Sequence, residues 1–252
     1  MNTSNAVITG GTSGIGLETA VVLAESGIRT IVINGRNHER GERARLDILS
    51  RVPGVTVTFV PADVGRADGA RALFEASAPL LGGPLDVLVN CSGGDFSPEL
   101  FERTPVEDLD AIITHWLSSR IHVCHAALPL MSRGGAIVNV GSDAAKVPTP
   151  GETVIGAAMA GMVMFSRTLA LEAKRRGVRV NVVTPSVVEG PRLRARIAAG
   201  GFSGKLFEKA IAAAHLGVVN ARDVAETIAF LASSRAARVT GQVVSVNGGV
   251  SA

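Results

Sequence analysis

The chain has 252 residues, of which 46% are hydrophobic and 19% charged, and its formal net charge is +3. This length can bury a large core, and no repeat, low-complexity tract or linker divides it, so we expect one soluble domain over residues 1–252. The basic residues are dispersed, and no apolar run reaches the length of a membrane span without a charge or turn residue, which argues against nucleic-acid and membrane partners.

The first predicted unit is a strand, a glycine-rich turn and a helix. Residues 5–9 form a short apolar run typical of a buried parallel strand, and residues 17–25 have the apolar spacing of a helix. Between them, Gly10 allows a tight turn, Gly14 lets a pyrophosphate approach the backbone, and Gly16 lets the helix pack against the strand. The N–H groups at the helix N-terminus would then face the phosphates. Because Met1 lies so close to the strand, we expect no signal peptide and a cytoplasmic location.

Further strands are predicted near residues 30–34, 55–60, 85–90, 135–141, 178–183 and 242–246, with helices between them. This alternation predicts an α/β fold, a single-domain Rossmann-type doubly wound sheet of seven parallel strands. Ligands bind such sheets at the carboxyl ends of the strands. The only two cysteines, Cys91 and Cys124, lie in apolar surroundings without C-x-x-C spacing, so we expect buried free thiols and neither a disulfide nor a metal site.

Six motifs in order along the chain carry a family resemblance. They are TGGTSGIG at 9–16, DV at 63–64, NCSG at 90–93, IVNVGS at 137–142, VRVNVVTP at 178–185 and VTGQVVSVNGG at 239–249. Together they resemble the short-chain dehydrogenase/reductase family over essentially the whole chain. The resemblance implies a nicotinamide nucleotide bound by a set of loop residues: Gly10, Thr12, Ser13, Gly14, Ile15, Gly16, Arg36, Asn37, Asp63, Val64, Asn90, Ser92, Gly93 and Pro185.

The residues after the second strand indicate which nucleotide is preferred. Family members that use NAD usually place an acid there to hold the ribose hydroxyls, whereas this strand runs into Gly35, Arg36 and Asn37. A charge-assisted pair between Arg36 and a 2′-phosphate would favour NADP(H) over NAD(H), the alternative being that Arg36 is an ordinary surface arginine. Asn90 also has two interpretations, contact with the ribose side of the cofactor or a role in shaping the sheet.

The catalytic positions depart from the family pattern. The family moves protons with a serine, a Tyr-x-x-x-Lys pair on the next helix and an asparagine on an earlier helix. This chain contains no tyrosine. Ser142 fills the serine position, and the resemblance puts Ile155, Met159 and Trp116 at the positions of the tyrosine, lysine and asparagine. Six residues are candidates for a replacement acid, each with an ordinary role as turn, capping or packed residue as the alternative: Asp95, Asp143, Glu152, His115, His122 and Lys146.

The sequence from Ser142 to Glu152 resembles family members that oxidise hydroxyacyl thioesters of coenzyme A. We therefore expect an atypical oxidoreductase that uses NADPH to reduce a carbonyl or conjugated small molecule, polyketide-like or acyl-thioester, and relies on cofactor positioning and Ser142. Two alternatives stay open. One is a catalytically silent subunit that pairs with an active relative, and the other is a non-redox cyclase or isomerase on the same scaffold.

Two further segments bear on substrate and assembly. Residues 188–216 correspond to the mobile lid of similar proteins, and its three arginines either form a solvated surface or bind a phosphate or carboxylate: Arg192, Arg194 and Arg196. Small residues and methionines at 157–165 lie on a helix that usually packs across a two-fold axis in the family, so we expect a homodimer or homotetramer.

Overall fold

Seven parallel strands form one sheet in the order β3-β2-β1-β4-β5-β6-β7. The computed structural model describes residues 5–251; residues 1–4, on which the expectation about a signal peptide rests, lie outside this range. The strands are β1 (Asn5–Thr9), β2 (Thr30–Gly35), β3 (Thr56–Pro61), β4 (Leu85–Asn90), β5 (Met131–Val140), β6 (Arg179–Pro185) and β7 (Val243–Val246). The predicted single-domain α/β fold with a seven-stranded parallel sheet is confirmed.

Helices cover both faces of this sheet. They are α1 (Gly14–Glu25), α2 (His38–Arg51), α3 (Ala67–Leu81), α4 (Val106–Ile113), α5 (Ser119–Ala127), α6 (Thr153–Ala173), α7 (Pro191–Ala199), α8 (Gly201–Ala213) and α9 (Ala221–Ala232). A π-helical turn, Thr114–Ser118, joins α4 directly to α5. The two therefore form one helix with a local widening, a feature that is frequent at functional sites.

The core lies on the two faces of the sheet because successive strand residues point to opposite sides. In β1, Ile8 packs into a cluster that contains buried residues of α1, α2 and α9. Its neighbour Val7 packs into a second cluster, formed with α3, α5 and α6. With both faces buried, the strands need apolar residues at nearly every position, which explains why their sequences read as continuous hydrophobic runs.

One helix departs from the expectation about apolar runs. The segment Thr153–Arg176 has a mean hydropathy of 1.6 over an 18-residue window and so passes, by length and composition, the test for a membrane span. In the fold, 44% of that window is buried, and Ala158, Met162 and Leu169 lie in the protein interior. The core helix of a folded domain passes the same test, and the residue pattern alone does not distinguish the two cases.

Candidate functional site

The strand order reverses between β1 and β4, and the loops after these two strands meet there. Thr9 pairs with Asn90 at the carboxyl ends of the two strands. A Cβ added to Gly10 would lie 2.7 Å from the backbone of Cys91, and Gly10 has a φ of +66°. Only glycine combines that backbone conformation with so close an approach. A crevice at such a reversal is where open α/β sheets bind their ligands.

The turn before α1 offers a cradle for a phosphate group. A Cβ added to Gly16 would lie 2.3 Å from the carbonyl oxygen of Gly10, so the helix can pack onto the turn only with glycine there. At Gly14, by contrast, an added Cβ would meet nothing within 4 Å. The Ser13 side chain accepts no capping hydrogen bond, and the first turn of α1 contains no acidic residue. The backbone N–H groups of that turn are therefore available to an anion. The residues present therefore fit a pyrophosphate.

The loops after β2 and β3 lie beside this turn. A Cβ added to Gly35 would lie 2.7 Å from the Thr12 side chain, which brings the segment with Arg36 next to the glycine turn. Arg36 is exposed and forms no ion pair within residues 5–251. Asn37 has a structural task, since its side chain accepts a hydrogen bond from the Arg40 N–H at 2.8 Å and caps α2. A positive charge is thus available at the end of β2.

After β3, an exposed acid is followed by a buried valine. The Asp63 carboxylate accepts a hydrogen bond from the Gly65 N–H at 3.1 Å, which closes a small turn, and Val64 packs into the core. On the other side of the crevice, Pro185 ends β6 and is buried. These residues line the same edge of the sheet as the glycine turn, because the carboxyl ends of parallel strands lie together.

Asn90 is taken up by a buried hydrogen-bond network. Its Oδ1 accepts from the Thr9 hydroxyl at 3.1 Å, and its Nδ2 donates to Asn139 Oδ1 at 2.8 Å. Asn139 in turn donates to the Ser166 hydroxyl at 2.9 Å. The network joins β1, β4, β5 and α6, which agrees with the second of the two predicted roles of Asn90, that of holding the sheet in shape. The Ser92 hydroxyl nearby is buried and has no hydrogen-bond partner within residues 5–251.

The structure brings together three of the four positions predicted for the proton relay. Ile155 and Met159 lie one turn apart on α6, are 8% and 0% exposed, and share an apolar cluster with Trp116. None of these side chains titrates. Ser142 follows β5, and its Oγ accepts a hydrogen bond from the Ala144 N–H at 3.3 Å. It is partly exposed, which leaves a hydroxyl at the carboxyl end of the sheet.

An arginine that sequence reasoning missed lies beneath Trp116. Arg120 is 1% exposed, and its guanidinium carbon lies 5.5 Å from the centroid of the Trp116 ring. It donates to the carbonyl oxygens of His115 at 2.5 Å and Val140 at 3.3 Å. Burial lowers the pKa of this guanidinium to about 10. The signal in the sequence is an arginine four residues after Trp116, one helical turn along the same face.

The candidate acids fall into different surroundings. Asp143 is buried and accepts hydrogen bonds from the Asn247 amide and, at 2.8 Å, from the Ser251 hydroxyl. Lys146 lies 3.3 Å from the same carboxylate. Asp143 does lie in a short helical turn, as expected, but it also ties the C-terminal segment to the loop after Ser142. Its Oδ2 is thereby committed to structure, while its buried Oδ1 faces Lys146 and has no hydrogen-bond partner among residues 5–251.

Of the two histidine candidates, His115 bonds within its own helix and His122 lies in another part of the fold. His115 Nδ1 is 2.7 Å from the carbonyl oxygen of Ala111 in the preceding helical turn. His122 lines a cavity of about 700 Å³ between α3 and α5, whose other lining residues come from those helices and the turn after α5. The structure therefore does not bring His122 together with Ser142.

The two remaining candidate acids, Asp95 and Glu152, lie beside the predicted lid at residues 188–216. Helices α7 and α8 form this segment, and a Cβ on Gly151 would lie 2.3 Å from Phe202 of α8. Arg196 of α7 donates to the Phe96 carbonyl at 2.9 Å and lies 3.4 Å from the Asp95 carboxylate. Burial raises the pKa of Glu152, and the charge of Arg196 partly opposes the shift. Arg196 thus attaches α7 to the loop after β4, above the carboxyl ends of the strands.

Comparison with known proteins gives consistent matches along nearly the whole chain. The family described as enoyl-(acyl carrier protein) reductase matches residues 10–251. The 3-oxoacyl-(acyl-carrier-protein) reductase FabG of Chlamydia muridarum is 34% identical, with 97% of this chain and 96% of that protein covered. The D-beta-hydroxybutyrate dehydrogenase of Rhizobium meliloti is 33% identical, with 98% of each covered.

A solved structure is similar in both fold and sequence. It is an NADPH-bound short chain oxidoreductase from Pseudomonas aeruginosa PAO1, described as containing an atypical catalytic center. The TM-score is 0.89 and the identity 33%, over 98% of this chain and 96% of the other.

Proposed function

Because the chain belongs to the short-chain dehydrogenase/reductase family and is an oxidoreductase, we propose that it uses NADPH to reduce the carbonyl group of an acyl-thioester-like small molecule. The observation that carries this proposal is the open glycine turn, with the exposed backbone of Gly14 at the N-terminus of α1. Together with the close packing at Gly10 and Gly16, this leaves the N–H groups at the start of α1 accessible to a phosphate group. Reduced nicotinamide supplies the hydride for such a reaction.

Three parts of the chain would hold the nucleotide. The turn Gly10–Gly16 would receive the pyrophosphate, Arg36 the 2′-phosphate, and Asp63 with Val64 the adenine. Ser92 and Gly93 would line the ribose side of the cofactor, as would Asn90 if it reaches the nucleotide, and Pro185 would bind it from the end of β6. The exposed, unpaired guanidinium of Arg36 supports NADPH over NADH, and the NADPH in the related Pseudomonas oxidoreductase agrees with that choice.

The proton relay of the family is replaced in this proposal. Ile155, Met159 and Trp116 occupy the positions of its tyrosine, lysine and asparagine, which the absence of any tyrosine supports. General acid catalysis contributes about 10²–10⁴-fold, whereas positioning of two reactants contributes about 7–11 kcal/mol. Turnover therefore survives without the tyrosine, with Ser142 donating a hydrogen bond to the carbonyl and water supplying the proton.

Substrate class and assembly follow the same reasoning. The two curated relatives carry the names of a 3-oxoacyl reductase and a hydroxybutyrate dehydrogenase, which favours a β-oxo or β-hydroxy acyl compound under a lid at residues 188–216. Met164 and Leu171 are 60% and 63% exposed on α6, which supports a homodimer or homotetramer that buries this helix. We expect the assembly to act in the cytoplasm.

Absorbance of reduced nicotinamide tests the proposal. Purified protein is mixed with NADPH or NADH and with acetoacetyl-coenzyme A, or with crotonyl-coenzyme A to detect reduction of a conjugated double bond. Oxidation of NADPH by the oxo compound, faster than that of NADH, is the expected result. No oxidation with either thioester, despite bound NADPH, would count against the reaction.

Two variants examine the altered relay. Ser142→Ala should lower turnover, whereas Ser50→Ala, an exposed hydroxyl on α2, should not. Ile155→Tyr combined with Met159→Lys should help little, because a buried lysine without partners carries a desolvation cost. If the double replacement raised hydride transfer by about a hundredfold, the typical gain from a general acid, and Ser142→Ala had no effect, the chain would be a silent subunit instead.

A further inference from the structure

Unpaired polar atoms collect where β4 ends. Among the described residues, the Ser92 hydroxyl, the Trp116 indole nitrogen and the Arg120 Nε are buried and have no hydrogen-bond partner. Two of these groups are donors only, since indole N–H and guanidinium N–H cannot accept. A buried donor without an acceptor destabilises the protein, so it needs a water molecule or a ligand that supplies one.

Arg120 also lacks a counter-ion. It forms no ion pair with any residue between 5 and 251, and the ionisable groups that act on its pKa are the thiols of Cys91 and Cys124. Burial raises the pKa of both thiols to about 12, so they are neutral at pH 7. The positive charge is thus uncompensated in a low-dielectric environment, where its attraction for a negative charge is much stronger than in water.

The contacts of Arg120 fix the position of Trp116. The guanidinium donates to the His115 carbonyl and, at 3.2 Å, to the Ser119 hydroxyl, and it lies against the indole ring, so it contacts the segment before and after residue 116. A Cβ on Gly93 would lie 2.8 Å from Cζ3 of the indole, so the six-membered ring lies against the end of β4 and the edge that carries Nε1 faces away from Gly93. Trp116 packs against the apolar cluster that contains Ile155 and Met159, so the indole lies at the side of the replaced relay positions.

We propose that Trp116 and Arg120 together form an oxyanion-stabilising site, in which the indole N–H donates to the carbonyl oxygen of the substrate. Arg120 is a positioning residue that holds the indole and supplies positive potential. This inference rests on the proposed reduction. There, the carbonyl carbon gains a C–H bond from the hydride as the nicotinamide is oxidised, the C=O electron pair moves to oxygen, and that oxygen takes a proton from water. Donors aimed at such an oxygen are a major source of catalysis.

A direct test uses the fact that Trp116 is the only tryptophan of the chain. Protein labelled with ¹⁵N in tryptophan gives one indole N–H resonance in an NMR correlation spectrum. We expect this resonance to move downfield with NADP⁺ and acetoacetyl-coenzyme A, which form a complex that cannot react. NADP⁺ with coenzyme A alone should leave it in place. A resonance that stays unmoved at saturating NADP⁺ and thioester would overturn the inference, since it would mean that water or nothing is the acceptor.

Conservative variants separate catalysis from packing. Trp116→Phe keeps the aromatic ring and removes the N–H, so kcat should fall by about 10²–10³-fold while NADPH affinity is retained. Arg120→Met should lower kcat, and Arg120→Lys should recover part of the loss because it restores the charge. The matched control is Arg179, a buried arginine whose guanidinium is paired with the carbonyl groups that end α9. Arg179→Met should reduce stability without lowering the kcat of the folded protein.

The outcomes distinguish this inference from the proposed function. Absence of NADPH oxidation in the wild type would contradict the reaction, yet the indole resonance would still report whether a carbonyl compound binds there. Unchanged kcat in Trp116→Phe, in a wild type that does reduce the thioester, would overturn the oxyanion site alone. If Arg120→Met does not fold, Arg120→Lys and the resonance of the wild type still decide the question.

Discussion

Gly14 and Gly16 lie two residues apart in the turn before α1, and alanine should fail at each for a different reason. At Gly16 the new Cβ would lie 2.3 Å from the Gly10 carbonyl oxygen, a backbone atom that cannot turn aside. Overpacking costs about 1–3 kcal/mol, and so short a distance belongs at the upper end. The higher helix propensity of alanine relative to glycine offsets about 1 kcal/mol of this cost. We therefore expect Gly16→Ala to lower the free energy of unfolding by about 2 kcal/mol.

At Gly14 the same substitution meets open space. No atom lies within 4 Å of the added Cβ, so the stability cost comes only from the φ of +53°. A left-handed conformation costs an alanine about 1–2 kcal/mol. The methyl group, however, would stand where a pyrophosphate approaches the backbone. Gly14→Ala should therefore weaken NADPH binding by about tenfold or more, roughly 1.4 kcal/mol, while the protein stays folded.

Urea unfolding and titration of NADPH fluorescence measure the two effects separately. The matched control is Gly54→Ala, which also has a positive φ, +85°, and open space, but lies in the turn before β3. It should share the stability cost of Gly14→Ala and leave NADPH binding intact. The reasoning is refuted if Gly14→Ala binds NADPH as tightly as the wild type, or if Gly54→Ala weakens binding equally.

The fold was predictable because its sheet is buried on both faces. A strand such as β1, with five consecutive buried residues, cannot be mistaken for an exposed or half-buried one. The start of β5 was less accurate: the strand begins at Met131 rather than near 135. Its first residues include exposed Arg133, and its register against β4 shifts between Leu85 and Val87. Where a strand extends beyond the core, its residues are no longer consistently hydrophobic although its backbone hydrogen bonds continue.

The geometry of the glycine turn was predictable for a local reason, and the Trp116–Arg120 pair was not. The glycine turn occupies eight consecutive residues, and three of its four glycines, Gly10, Gly11 and Gly16, have a steric task within that stretch or against an adjacent strand or loop. The side of the helix to which Arg120 points depends on whether residues 114–118 form an α or a π turn, and no residue pattern specifies that choice. Asp143 depends on Asn247 and Ser251, more than a hundred positions away, contacts that only the folded sheet creates.

Three further substitutions test the structure independently. Arg36→Ala should weaken NADPH binding by about tenfold and leave NADH binding unchanged, and equal affinities of the wild type for both nucleotides would contradict the role of the arginine. Asn90→Ala should lower the free energy of unfolding by about 3 kcal/mol in urea, because it leaves buried partners in β1 and β5 unpaired; a change below about 1 kcal/mol would show that the network is not a brace. Glu152→Gln should stabilise the protein at pH 7. Burial raises the folded pKa of this carboxyl, so the ionised form is penalised in the folded state, and stability is lost as pH rises from the unfolded pKa, about 4.3, through the raised folded value. The gain from glutamine should therefore vanish below about pH 4, where both states are protonated. Exposed Glu172→Gln is the control, and a gain for Glu152→Gln that persisted unchanged at low pH would show that lost charge is not its cause.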